Sequence, residues 1–249
     1  MKQKERIEVV GQIDVELLTK GAVDLGVNLS KDEVVLYQKY VDILLEWNAK
    51  VNLTAITEPD EIVVKHFLDS LAVLQYLPRK KGSFLLDIGT GAGFPGIPIK
   101  IAENSMNVVL LDSLNKRVSF LRHLISELSF KNIYALHGRA EDFGHDENYR
   151  AKFDFVVSRA VAKLSVLAEL CLPFVKVGGL FVAYKGPRAE QEVLEAERAL
   201  PLLGGNVLEL RKIQLPGVEG ERLLVFIKKE KETPERYPRK AGIPEKRPL

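Results

Sequence analysis

Gly89, Gly91, Gly93 and Gly96 fall within eight positions of "LLDIGTGAGFPGIPIK" (85–100), directly after an apolar run. Nothing else in the chain constrains the fold as tightly. An apolar run ending in such a cluster reads as a buried strand entering a tight turn, where missing side chains let a ligand approach backbone amides at a helix N-terminus. Pro95 and Pro98 suit the first turn of that helix. Two parses stay open: G-x-G-x-G over Gly89, Gly91 and Gly93, or the dinucleotide fingerprint G-x-G-x-x-G over Gly91, Gly93 and Gly96.

The strand–turn–helix unit recurs. Short apolar runs, "FLLDIG", "NVVLLD", "NIYALHG", "FDFVVS" and "GGLFVAYKG", alternate with stretches of helical period such as "NKRVSFLRHLISEL" and "VAKLSVLAELCLPFVKV". That alternation predicts a mainly parallel sheet covered on both faces. Beyond the helix-like "RAEQEVLEAERALPLL", the runs "NVLELRKIQL" and "ERLLVFIKK" are joined only by "PGVEG", so they are expected to pair antiparallel. By fold-level analogy, a parallel sheet closed by one hairpin is the methyltransferase variant of the doubly wound fold.

Upstream the text is helical. A helix is expected over Ile13 to Leu25, and Ser30 with Glu33 forms a capping box ahead of Val34, Tyr37, Val41 and Leu44. A third helix opens at Pro59, with Val63, Phe67, Leu71 and Leu74 on one stripe. The expected organisation is a helical cap over 1–80, a Rossmann-like domain over 81–230 and a basic, proline-rich tail over 231–249.

Composition narrows the function classes. With 46% hydrophobic and 28% charged residues, the chain can bury a core, and its single Cys171 excludes an internal disulfide and any multi-cysteine metal site. No metal is expected. The start lacks the apolar core of a signal peptide and no segment suits a membrane span, so a cytoplasmic protein is expected. A net charge of +2 does not argue for nucleic acid by itself, although the tail concentrates Lys, Arg and Pro.

Three acids sit at the ends of successive strands, the edge where such sheets bind ligands. Asp87, two residues before Gly89, would repel a diphosphate and attract the cationic amino-acid end of S-adenosylmethionine. Asp112, roughly 20 residues beyond Gly91, is placed to accept ribose hydroxyls. Glu141 or Asp142 in "HGRAEDF" would lie beside adenine, whose exocyclic amine is a donor.

These residues resemble the glucose-inhibited division protein B family, the 16S rRNA guanine-N7 methyltransferases. The resemblance covers nearly the whole chain, through "WNAKVNLTAI", "KHFLDSL", "LLDIGTGAGFPGIPIKI", "LLDSLNKRVSFL", "GRAED", "SRAVAKL", "YKG" and "YPRKAGIPEKRPL". It implies a class I S-adenosylmethionine-dependent methyltransferase with a Rossmann-like, mainly parallel seven-stranded sheet and an N-terminal helical cap. It implies a cofactor pocket containing Gly89, Phe94, Ala140, Glu141 and Arg159. The implied reaction is methylation of a guanosine in the decoding-region loop of 16S rRNA, in the small ribosomal subunit or its assembly intermediate, by a monomer.

What the chain lacks agrees with that chemistry. Pyrimidine C5 methylation needs a cysteine nucleophile, and Cys171 lies in an apolar helix. Exocyclic amines are commonly methylated beside an Asn/Asp-Pro-Pro-aromatic loop, where this chain has "SRAV". Ribose methylation needs a base; Lys185 could serve, yet Ser158 and Arg159 hold the strand end where an acid is wanted. Guanine N7 needs none, so Arg159 is expected to position rather than to move protons. Arg139, Lys116, Arg117, Lys185, Tyr237, Arg239 and Lys240 are the expected RNA contacts. A different rRNA methyltransferase, a nicotinamide-dependent oxidoreductase and a non-catalytic RNA-binding assembly factor are the competing readings.

Overall fold

A computed structural model describes residues 11–78, 80–160, 162–218 and 220–249. The cap begins with α1 (Val15–Asp24), capped by the Asp14 carboxylate, and α2 (Lys31–Val51), opened by the expected reciprocal box of Ser30 and Glu33. The helix expected from Pro59 is not uniform. It runs as α3 (Pro59–Ile62), a π-helical stretch Val63–Leu68 and α4 (Asp69–Leu71). The widened turn carries His66 toward the sheet while Val63, Phe67 and Leu71 remain fully buried.

The sheet then alternates with helices: β1 (Phe84–Ile88), α5 (Gly96–Ala102), β2 (Asn107–Asp112), α6 (Asn115–Glu127), β3 (Ile133–His137) and α7 (Ala140–Phe143). It continues through β4 (Phe153–Ser158), α8 (Leu164–Cys171), β5 (Val175–Lys185), α9 (Ala189–Glu195), α10 (Ala199–Leu202), β6 (Gly205–Ile213) and β7 (Arg222–Lys229), with α11 (Ile243–Lys246) near the end. The strand order is β3-β2-β1-β4-β5-β7-β6. The first five pair in parallel, whereas β7 pairs antiparallel with both β5 and β6, so the expected closing hairpin forms. Order reverses between β1 and β4, which leaves a crevice at their carboxyl ends.

One face of the sheet shares a continuous core with the cap, from Leu18 and Phe67 to Val108 and Phe226. The join at the glycine turn is polar as well as apolar. Tyr37 Oη donates to Pro98 O at 2.9 Å and Tyr40 Oη to Ala92 O at 2.5 Å, both inside the core. Cys171 is buried on the opposite face, where burial pushes its thiol well up, as an inert apolar role requires.

The tail departs from expectation. Tyr237 is 6% exposed and belongs to the core on the same face as Cys171 rather than facing solvent. Arg239 donates through Nε and Nη2 to Glu169, a carboxylate with no solvent exposure on α8. Tyr237 is thus buried against the expectation of a base-stacking ring, whereas Arg239 is held by Glu169 with 26% of its side chain exposed and Lys240 is exposed.

Candidate functional site: three joined cavities at the switch point

Three cavities meet at the carboxyl ends of β1, β2 and β4. The first, of about 420 Å³, is bordered by Gly89, Thr90, Gly91, Phe94, Asp112 and Arg117, with Thr54, His66 and Arg159 opposite. The second, of about 240 Å³, continues from Gly89 and Asp112 past Gly138, Arg139, Ala140 and Glu141 to Leu167 and Leu170 on α8. The third, of about 520 Å³, opens between the cap and β5–β7 and is bordered by Lys65, His66, Asp69, Arg159, Lys185 and Arg222. Ala160 borders all three.

The glycines divide by role. Gly89 and Gly91 have φ of 71° and 61° and line the first cavity, and a Cβ on Gly91 would meet no protein atom. Gly93 turns the other way. A Cβ there would come within 2.8 Å of Tyr40 Oη and 2.7 Å of Ile97, so its lack of a side chain serves the fit of the cap onto the turn rather than a ligand.

Asp87 is likewise not at the mouth. Its carboxylate has no exposure; Oδ2 accepts from Thr90 Oγ1 at 2.6 Å and from the Gly96 amide at 2.8 Å, and Oδ1 is buried without a partner. Burial pushes its pKa up to about 7. The short spacing between strand end and turn folds this side chain beneath the glycines, so it braces the turn from below. The acids that border the cavities are Asp112 and Glu141.

Asp112 accepts from the Gly91 amide at 2.9 Å and from the Leu114 amide at 2.9 Å, and pairs with Arg117 at 3.4 Å. That pair gives a cation at the start of α6 a partner within the protein, while Arg117 also borders the first cavity. Lys116 is exposed and reaches Val51 O at 3.3 Å. Arg139 is exposed at the entry to α7, beside buried Ala140. Lys185 borders the third cavity but already has partners in the protein. It is 8% exposed, 2.7 Å from Glu192 Oε2, and also donates to Ala162 O.

Arg159 is the hub between the first and third cavities. Nη1 donates to Asp69 Oδ2 at 2.8 Å and to Lys65 O at 3.1 Å, while its guanidinium carbon lies 5.1 Å from the centre of the Phe94 ring. Nη2 lies 3.1 Å from His66 Nδ1. A guanidinium only donates, so Nδ1 accepts, and the ring proton sits on Nε2 and points to Thr54 Oγ1 at 2.9 Å. Burial first, and then the Arg159 charge, hold His66 down at about 3. His66 therefore stays neutral, stacked on Phe94 at 4.4 Å between ring centres.

Thr54, His66, Asp69 and Arg222 were not among the residues expected at the site. The string "KHFLDSL", with polar residues inside otherwise apolar helical text, was the available signal for His66 and Asp69, and the loop string "NLTAI" for Thr54; nothing in the string marks Arg222. Among the described residues no helix is long and apolar enough to cross a membrane, and no cluster of three His, Cys, Asp or Glu is placed to hold a metal.

Comparison with known proteins bears on the fold and the family. The model of the family described as rRNA small subunit methyltransferase G matches residues 34–223. Two similar relatives bear the name ribosomal RNA small subunit methyltransferase G. That of Desulforamulus reducens is 52% identical over 93% of this chain and 97% of its own. That of Lachnoclostridium phytofermentans is 52% identical over 95% and 98%. Among solved structures, TrmN from Thermus thermophilus superposes with a TM-score of 0.51 at 19% identity over 65% of this chain and 48% of its own. A precorrin-6y C5,15-methyltransferase from Geobacter metallireducens gives 0.51 at 14% identity over 70% and 90%. These two likenesses speak to the fold, a Rossmann-like methyltransferase sheet.

Proposed function

Because the chain belongs to the rRNA small subunit methyltransferase G family, we propose that it transfers a methyl group from S-adenosylmethionine to N7 of a guanosine in 16S rRNA, as a monomer acting on the small ribosomal subunit or its assembly intermediate. The observation that carries this reading is the shared wall of His66, Arg159 and Ala160 between the glycine-turn cavity and a separate basic cavity. A two-substrate reaction needs such a junction.

The residues present fit the donor. The open backbone at Gly89 and Gly91 suits its amino-acid end, Asp112 its ribose, and Ala140 with Glu141 its adenine. When bound, S-adenosylmethionine supplies a methyl carbon made electrophilic by the adjacent sulfonium.

Transfer requires no base from this chain. The N7 lone pair forms the new bond to carbon as the carbon–sulfur bond breaks, its electron pair stays on sulfur, and the positive charge passes to the purine. The task left to the protein is to align the two atoms and exclude water. Phe94 and the stacked His66 ring form a dry wall at the junction. His66, held neutral, does not oppose the emerging purine cation, and Asp69 offsets the charge of Arg159. Asp112 and Glu141 keep the ribose and adenine roles expected of them, and the amino-acid end falls to the backbone at the glycine turn rather than to Asp87.

The test is transfer of tritiated methyl to small subunits from cells lacking the protein, followed by mass spectrometry of the digested RNA. 7-Methylguanosine is expected. Label in a ribose or another base would refute the N7 assignment, and absence of label would refute the enzyme.

A further inference from the structure

The tail that the sequence suggested for RNA is built into the far end of the glycine-turn crevice instead. Pro244 and Glu245 border the second cavity, across from Ile88, Gly138 and Ala140. Two residues earlier, the Gly242 amide donates to Glu141 Oε1 at 3.0 Å. We infer that the C-terminal segment is the outer wall of the purine subsite, with Pro244 covering the ring and Gly242 fixing Glu141 as acceptor for an exocyclic amine. This rests on the methyl-donor reading of the crevice.

The wall is firmly anchored. Arg239 engages Glu169 through its backbone amide at 2.8 Å and through its guanidinium, and Glu169 lies on α8 between Leu167 and Leu170, which line the same cavity. Arg150 donates to Tyr237 O at 2.9 Å and Thr233 O at 2.7 Å, and His145 Nε2 lies 2.7 Å from Pro238 O. A Cβ on Gly144 would stand 2.7 Å from Pro238 Cγ, so the segment lies tight against the loop after α7. The helix bearing Glu141 and the helix bearing Leu167 are thereby tied to one another through the tail.

The chemistry selects an amino-purine. Glu141 keeps acceptor capacity at Oε2 after the Gly242 amide takes Oε1, and a carboxylate only accepts when ionised. An amine at the purine 6-position meets that need, whereas a 6-carbonyl would face the carboxylate with a second acceptor.

The experiment is calorimetric titration of the full chain, of a variant ending at Ala241, and of Pro244→Ala, each with S-adenosylhomocysteine and with its 6-deaminated counterpart, S-inosylhomocysteine. The intact chain is expected to prefer the amino ligand by about tenfold or more. Shortening is expected to weaken S-adenosylhomocysteine by about tenfold and to bring the preference close to one. Pro244→Ala keeps every anchor and is expected to weaken both ligands by about threefold, a loss of covered apolar area alone. Should the shortened chain not fold, Pro244→Ala decides: unchanged affinity overturns the inference. If the intact chain binds and shortening alters neither affinity nor preference, the inference fails while the donor reading stands. No binding to the intact, folded chain overturns both. Loss of affinity for small-subunit RNA with cofactor affinity unchanged returns the tail to an RNA role and overturns the inference.

Discussion

Arg159 and Asp69, 90 residues apart in the chain, meet at 2.8 Å across the join between sheet and cap. Their side chains are 18% and 8% exposed, so the pair is largely desolvated. Breaking it from either side leaves an uncompensated charge, a loss on the order of 3 kcal/mol. The cap is thereby more than a lid on the core: it supplies the counter-ion of the residue at the junction.

Arg159→Lys separates position from charge. A lysine keeps the cation but cannot hold Asp69, Lys65 O and His66 Nδ1 at once. Methyl transfer is expected to fall by about a hundredfold, mainly in kcat. Steady-state kinetics on small subunits, with thermal melting as control, checks it; a KM effect alone would contradict the positioning role.

Two glycines only two positions apart should fail differently. Gly93→Ala forces a methyl into Tyr40 and Ile97 at φ 101°, and an order of 2 to 4 kcal/mol of stability is expected to be lost. Gly91→Ala meets only strain from its φ of 61°, about 1 kcal/mol, yet sits at the cavity wall. Its melting temperature should move by a few degrees while S-adenosylhomocysteine affinity drops. Equal melting shifts for the two would show that the role division is wrong.

That division was not legible in the string "GTGAGFPG", because spacing reports which residues lack a side chain and not which way the missing Cβ points. The sheet was legible, since buried parallel strands leave long apolar runs and the turn "PGVEG" left no room for a crossover helix. Asp87 was misplaced because strand-end position does not distinguish an acid above the turn from one folded under it. The tail has no hydrophobic period, which favours the RNA reading of Tyr237 and Arg239; its order comes from one buried ring and one ion pair to a buried carboxylate, which periodicity cannot register. Thr54, His66 and Asp69 reach the site only through tertiary packing of the cap.

His66 and Asp87 give opposite pH dependences over one window. His66 has its pKa lowered to about 3 from 6.5, so below 6.5 the unfolded chain takes up a proton that the folded one refuses, and stability falls as pH drops. Asp87 has its pKa raised to about 7 from 3.8, so above about 4 the unfolded chain releases a proton that the folded one retains, and stability falls as pH rises. Each slope is at most about 1.4 kcal/mol per pH unit. Relative to wild type, His66→Gln is therefore expected to lose stability as pH rises from 4.5 toward 6.5, in steps of about a unit, and Asp87→Asn to gain it. Melting temperatures of the three proteins across that range decide; shifts of the same sign for both variants would contradict one of the two assignments.

Ala160 is the last point at which geometry makes a sharp demand. Its Cβ would stand 3.2 Å from a Cβ on Gly89, and it borders the donor-side cavities and the basic cavity alike. It is half-buried two residues beyond β4, so a larger side chain can enter the open junction without displacing the core. Ala160→Leu is expected to leave melting within a few degrees and to slow methyl transfer by at least about a hundredfold, by holding the two reacting atoms apart by an ångström or more. Binding of S-adenosylhomocysteine, measured alongside, should weaken far less than turnover, since the donor contacts proposed above lie along Gly91, Asp112 and Glu141. Unimpaired turnover in a folded Ala160→Leu protein would show that the methyl group does not pass at this junction.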